Sequence, residues 1–175
     1  MSSKSIGIKS CNVDKTDELI IGILYQDGKT SVSDIARQLK LDDKEVENRI
    51  SRLEKEGVIM GYRAQINWQK ICQDRVNALI EVKVTPERDV GFDSVAEAIY
   101  KYPEVTSLLL LSGGYDLLVQ IEGESLRDVA LFVAEKLATI KGVQSTVSHF
   151  LLKTYKENNV IFVETSSGSR LPVAP

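Results

Sequence analysis

The chain has 175 residues, with 22 Lys/Arg against 25 Asp/Glu for a net charge of −3, and is 43% hydrophobic, 27% charged and 6% aromatic. That is ordinary globular composition for one or two domains, and it excludes a disordered, collagen-like or disulfide-stapled chain. No apolar run approaches the ~20 residues of a membrane helix, the first residues (MSSKSIGIKS) lack the apolar core of a secretory signal, and Cys11, Cys72 and a single histidine fall short of a four-ligand zinc site. The expectation is a soluble, cytoplasmic, membrane-free protein with no metal and no cofactor.

The first part of the chain carries helical periodicity. A first helix opens at Asp14, runs to about Gln26 and presents Leu19, Ile20, Ile23 and Leu24 as its apolar stripe before Asp27-Gly28 stops it. A second is capped by Ser31 and buries Val32, Ile35, Ala36 and Leu39. After the short turn Lys40-Leu41-Asp42, a third starts with Asp42 as N-cap and Glu45 at the capping-box position, and ends at Gly57. Val58 to Ile66 then reads as a short extended stretch. Two short helices, a tight turn and a longer third helix make the helix-turn-helix order. At 100° per residue, Val46, Ile50 and Leu53 share one face of the third helix. Lys44, Asn48, Ser51 and Lys55 lie opposite, with Arg52 beside them. Such a row of donors suits a major groove, where Asn pairs with adenine and Arg or Lys with guanine or phosphate. The segment from Asp42 to Glu56 nevertheless holds six acids against four bases, so Glu45 and Glu47, flanking the row, are expected to weaken non-specific binding to DNA.

From Val76 onward the pattern changes to period two. Val76 to Val84 alternates; a helix covers Phe92 to Tyr102; strands follow over Val105–Ser112 and Tyr115–Glu122, joined by Gly113-Gly114 as a hairpin signal. Ser125 caps a helix to about Ile140 with the stripe Leu126, Val129, Ala130, Val133 and Leu137. Val143 to Tyr155 is a fourth strand, and Asn159 to Glu164 a short fifth. The order β-α-β-β-α-β is the ferredoxin-like arrangement, an antiparallel sheet with both helices on one face. The fold class is therefore α+β: a winged-type helix-turn-helix domain followed by a ferredoxin-like domain. The expected boundaries are a tail over 1–13, the helix-turn-helix domain over 14–66, a linker over 67–75, the ferredoxin-like domain over 76–156, and a C-terminal strand and polar tail over 157–175. Leu79, Leu118, Phe150 and Leu152 are assigned to the helix-free sheet face, an apolar patch that a second subunit would cover.

The run RLEKEGVIMGYRA (Arg52 to Ala64) and the segment LLSGGYDLLVQIEG (Leu110 to Gly123) resemble the Lrp/AsnC (feast/famine) transcription regulators, and the resemblance spans residues 13–156. It implies a regulator that binds double-stranded DNA, dimerises or builds octamers through its second domain, and binds an effector amino acid or similar small molecule between dimers. Arg49 and Arg52 keep the family pattern. Asp43 and Glu45 stand where members usually carry small, hydroxyl or Pro residues, and Glu47 where Arg or another uncharged or basic residue is common. DNA contact is thereby assigned to Lys44, Glu45, Asn48, Arg49, Ser51, Arg52 and Lys55. Effector contact is assigned to Gly113, Gly114, Tyr115, Asp116, Thr146 and Ser148. Glycine N–H groups suit a carboxylate, while Asp116 either holds an ammonium group or caps the strand. With no nucleophile–base pair and one histidine, the chain is not expected to be an enzyme. The rival reading is an ACT-like metabolite-binding module that acts through protein contacts without touching DNA.

Overall fold

The computed structural model describes residues 13–71, 75–85 and 91–162; Cys11, Cys72 and the predicted polar tail lie outside them. The chain divides into two compact units, Met1–Ile66 and Asn67–Pro175.

The first unit is built from α1 (Lys15–Gln26), α2 (Val32–Leu39) and α3 (Asp43–Lys55). Asp14 opens α1 with a full capping box: its carboxylate accepts from the Asp17 N–H at 2.8 Å while that of Asp17 accepts from the Asp14 N–H at 3.0 Å. Ser31 caps α2 by accepting from the Asp34 N–H. Lys40 closes α2 in the left-handed conformation (φ 57°), which lets the Leu41 N–H reach Ala36 O at 2.9 Å and turns the chain straight into α3. The core is Ile20, Ile35, Ala36 and Val46, with Ile50 packed against it. Leu19, expected in the stripe of α1, is 57% exposed instead: it lies about 100° round the helix from fully buried Ile20, at the edge of the face that packs on α2 and α3. The capping box expected at α3 is not formed, because Asp42 accepts from the Lys44 N–H and Glu45 turns elsewhere. Gly57 (φ +73°) ends α3, with the Val58 N–H donating to Leu53 O at 2.8 Å. The stretch from Val58 to Ile66 belongs to no strand ladder among the described residues, so the expected short strand is a loop that follows α3.

The second unit contains β1 (Val76–Val84), α4 (Asp93–Tyr100), β2 (Val105–Leu110), β3 (Leu117–Gly123), α5 (Leu126–Leu131, continued by a π-helical stretch Phe132–Leu137) and β4 (Val143–Phe150). The antiparallel sheet has the order β2-β3-β1-β4, and α4 and α5 cover one face of it. Ala78, Ile80, Val82 and Val84 of β1 and Leu117, Val119 and Ile121 of β3 point into that core, meeting Val95, Ile99, Val129, Phe132 and Leu137. The helix stripe differs from expectation at α5. The π turn, in which the Ala138 N–H donates to Val133 O at 2.8 Å, widens the helix by one residue. It buries Phe132 and Leu137 and leaves Leu126 and Ala130 exposed.

Register corrects the open sheet face. Ala78 lies opposite Phe150, so Phe150 belongs to the helix side, and Leu152 falls beyond the end of β4. The helix-free face instead carries Leu79, Leu109, Leu118 and Val147. Two of its register pairs are Glu81 with Leu118 and Leu118 with Leu109. His149 sits on the same face, 3.1 Å from Glu81. The predicted fifth strand is realised as a small hairpin of β5 (Lys156–Glu157) and β6 (Val160–Ile161). Asn158 (φ 44°) and Asn159 (φ 67°) form its two-residue turn, so Asn159 is turn and not strand.

Candidate functional site

Two sets of residues stand out, one in each unit. In the first, Lys44, Asn48 and Lys55 are exposed and Ser51 is half-buried along one side of α3, opposite buried Val46 and Leu53. Arg52, expected beside that row, and Arg49, assigned to DNA contact by the family resemblance, are turned towards α1. The Arg49 guanidinium donates to Asp14 at 2.8 Å, to Asp17 at 2.9 Å and, through Nε, to Glu45 at 3.0 Å; Arg52 donates to the second oxygen of Asp17. The cause is Asp17, which has no exposed surface and needs cationic partners to remain charged there. Burial pushes the Asp17 carboxyl up, but the Asp14 N–H and the two guanidiniums together hold it below the ordinary carboxylate value. The Arg49 hydrogen bond likewise lowers Asp14. The two arginines thus fasten α3 to α1 and fix the direction in which the exposed row points. Glu45, expected to weaken non-specific binding to DNA, is paired with Arg49, which it shares with Asp14 and Asp17.

In the second unit the sequence-predicted loop and hydroxyl pair come to the same end of the sheet. Val82 has Leu117 on one side and Thr146 on the other, which sets the backbones of Leu117 and Thr146 about 10 Å apart across β1, at ~4.8 Å per strand. Ser148 is one repeat further along β4, opposite Ile80. The glycines do not form a two-residue turn. The chain bends from Ser112 to Asp116, neither Gly113 nor Gly114 has a positive φ, and a Cβ on either would meet nothing within 4 Å. Their backbone is exposed and sterically open.

Asp116 anchors this loop. Its N–H donates to Val82 O at 3.1 Å, its carboxylate accepts from the Val84 N–H at 2.9 Å, and Lys83 Nζ lies 3.2 Å away. The Val84 N–H, most of all, keeps its carboxyl below the usual range, and Lys83 adds to that against the effect of burial. Of the two roles the sequence left open for Asp116, strand capping is the one its contacts fill. An apolar groove of about 390 Å³ next to the loop, which Leu110 and Leu117 line together with Tyr100 and Ala96 of α4, was not legible in the sequence; an exposed Leu at a strand end beside a helix is its one trace. Among the described residues no cluster of acids, histidines or cysteines is arranged to hold a metal, and no helix is long and apolar enough to cross a membrane.

Comparison with known proteins identifies both units. Residues 13–60 match the family model of winged helix-turn-helix DNA-binding domains, and residues 77–161 that of the Lrp/AsnC ligand binding domain. The HTH-type transcriptional regulator YugG of Bacillus subtilis is 45% identical over 89% of this chain and 95% of its own length. An HTH-type transcriptional regulator of Pyrococcus horikoshii is 33% identical over 85% of this chain and 91% of its own. Among solved structures, a transcriptional regulator of Neisseria meningitidis in complex with L-Met superposes with a TM-score of 0.67 at 28% identity, covering 82% of this chain and 92% of that one. Identity at this level, carried across both the helical unit and the sheet, means that the chain belongs to the Lrp/AsnC family of HTH-type transcriptional regulators.

Proposed function

We propose that this regulator works in the cytoplasm as a homodimer or a higher assembly such as an octamer, without catalytic activity or cofactor, placing α3 in the major groove of double-stranded DNA and responding to an amino acid or a similar small metabolite. The observation that carries the DNA reading is the division of labour on α3. Arg49 and Arg52 are consumed in holding the helix, while Lys44, Asn48, Ser51 and Lys55 face outward. Binding of the full-length protein to the DNA upstream of its own gene, measured at two salt concentrations, tests it. A salt-dependent, sequence-preferring complex is expected, and no complex at either salt concentration rejects it. Within that complex Asn48 reads a base. Asn48→Ala is expected to cost ~1–3 kcal/mol on the cognate site and far less on random duplex. Equal losses on both would make Asn48 a backbone contact.

For the effector, support comes from the exposed Gly113-Gly114 backbone, the nearby Thr146 and Ser148, and the L-Met bound to the Neisseria relative. Asp116, already bonded to Val84 and Lys83, serves as the anchor of the loop, and Tyr115 is half-buried beside it. Gly114→Val leaves the fold unstrained, because φ there is not positive and no atom lies near the new Cβ, yet it covers the backbone that a ligand would approach. The variant is expected to bind DNA as the parent does and to lose the thermal shift given by the responsive amino acid among the twenty. An unaltered shift would reduce the loop to a connection between strands.

A further inference from the structure

The acids of α3 and its N-cap are not equivalent. Asp42 accepts from the Lys44 N–H, Asp43 from the Ser33 hydroxyl, Glu45 from Arg49, and Glu54 from the Tyr62 hydroxyl at 3.0 Å. Glu47 is exposed and, among the described residues, has no hydrogen-bond or ion-pair partner. At 100° per residue it sits on the flank of the outward row, about 60° from Lys44 and about 40° from Ser51. It also lies in the N-terminal half of α3, the part of a recognition helix that reaches base edges.

A carboxylate in that place has acceptors only. Phosphates repel it, and so do the O6 and N7 of guanine and the O4 of thymine. Adenine offers an amino donor, but its own N7 acceptor lies beside it; cytosine offers the N4 amino group with only C5–H beside it on its own groove edge. Desolvation in the groove is compensated only where such a donor is met. We propose that Glu47 is a specificity-determining residue that admits cytosine and rejects the other bases at one position of each half-site, and that Glu45, held by Arg49, has no such role. This rests on the DNA-binding reading above.

The test is selection from a randomised duplex library with full-length protein in three forms: wild type, Glu47→Gln and Glu45→Gln. The wild type is expected to enrich a motif with one strongly preferred cytosine. Glu47→Gln should lose that preference and shift it towards adenine, whose N6 and N7 a glutamine pairs. Its affinity for random duplex should rise, and its preference for the wild-type motif over random duplex should fall about tenfold or more. Glu45→Gln should select the wild-type motif. The same motif from wild type and Glu47→Gln, or relaxation by Glu45→Gln alone, would overturn the inference while leaving DNA binding intact. A wild type that enriches nothing would overturn the DNA-binding reading itself, and this inference with it. Among the described residues Glu47 has no partner to lose, so equal melting temperatures are expected for wild type and Glu47→Gln.

Discussion

Replacing Asp17 with asparagine is expected to destabilise the helical unit by about 3 kcal/mol, read as a lower midpoint in urea followed by far-UV circular dichroism. Asp17 is fully buried and receives Arg49 and Arg52 on its two oxygens. Breaking a buried ion pair from one side typically costs ~3–5 kcal/mol, because the partner charge is left uncompensated. The low end applies here. Arg49 keeps Asp14 and Glu45, both arginines retain some access to water, and the Asn carbonyl still accepts the Asp14 N–H. The same group sets an acid limit. Its folded-state pKa lies below the ordinary value of 3.8, so its contribution is complete above that value and is lost as pH falls through the lowered one. Wild type should therefore lose stability below about pH 4, whereas Asp17→Asn should show a flatter acid limb. A change under 1 kcal/mol, or equal acid limbs, would mean that the arginines hold α3 without this carboxylate.

Leu118→Asp is expected to convert the full-length protein to monomers in sedimentation velocity. Leu118 is half-buried near the middle of the helix-free face, between Leu109 of β2 and Glu81 of β1. In a single chain the new carboxylate reaches water. Between two sheets it would be buried directly beside the like charge of Glu81, at a cost of several kcal/mol. Because two linked half-site readers bind far more tightly than one, affinity for the cognate DNA should collapse in the same variant. An unchanged sedimentation coefficient would place the interface elsewhere than on this face.

Local signals carried most of the fold. Caps at Asp14 and Ser31, the stop at Gly57 and the alternation from Val76 to Val84 are written in neighbouring residues, and the elements follow them closely. What depends on distant residues was not legible. The side of the sheet taken by Phe150 is decided by its pairing with Ala78 and by the bulge at Lys83/Val84, which no count along β4 reveals. The extra residue in the turn after Leu131 shifts the buried stripe of α5 to Phe132, although the sequence there looks like any helix. The same holds for the site. Arg49 and Arg52 read as DNA contacts as long as α3 is considered alone, and become fasteners only when Asp17, more than thirty positions earlier, is brought beneath them. Asp116 was ambiguous for the same reason, since the Val84 N–H that it caps belongs to a strand far back in the chain.

The segment that follows the helical unit contains the only tryptophan of the chain, Trp68, in a single 3₁₀ turn (Trp68–Lys70). The Arg75 guanidinium lies 4.5 Å from the centre of its ring and is itself held by Glu122 at 2.9 Å. Indole emission responds to a nearby charge and to water, and Trp68 is partly open to both. The second unit therefore carries a built-in optical probe close to its first residues. Excitation at the red edge of the protein absorption band isolates this one chromophore, so a change in the surroundings of Trp68 registers as a change in colour or intensity without a label.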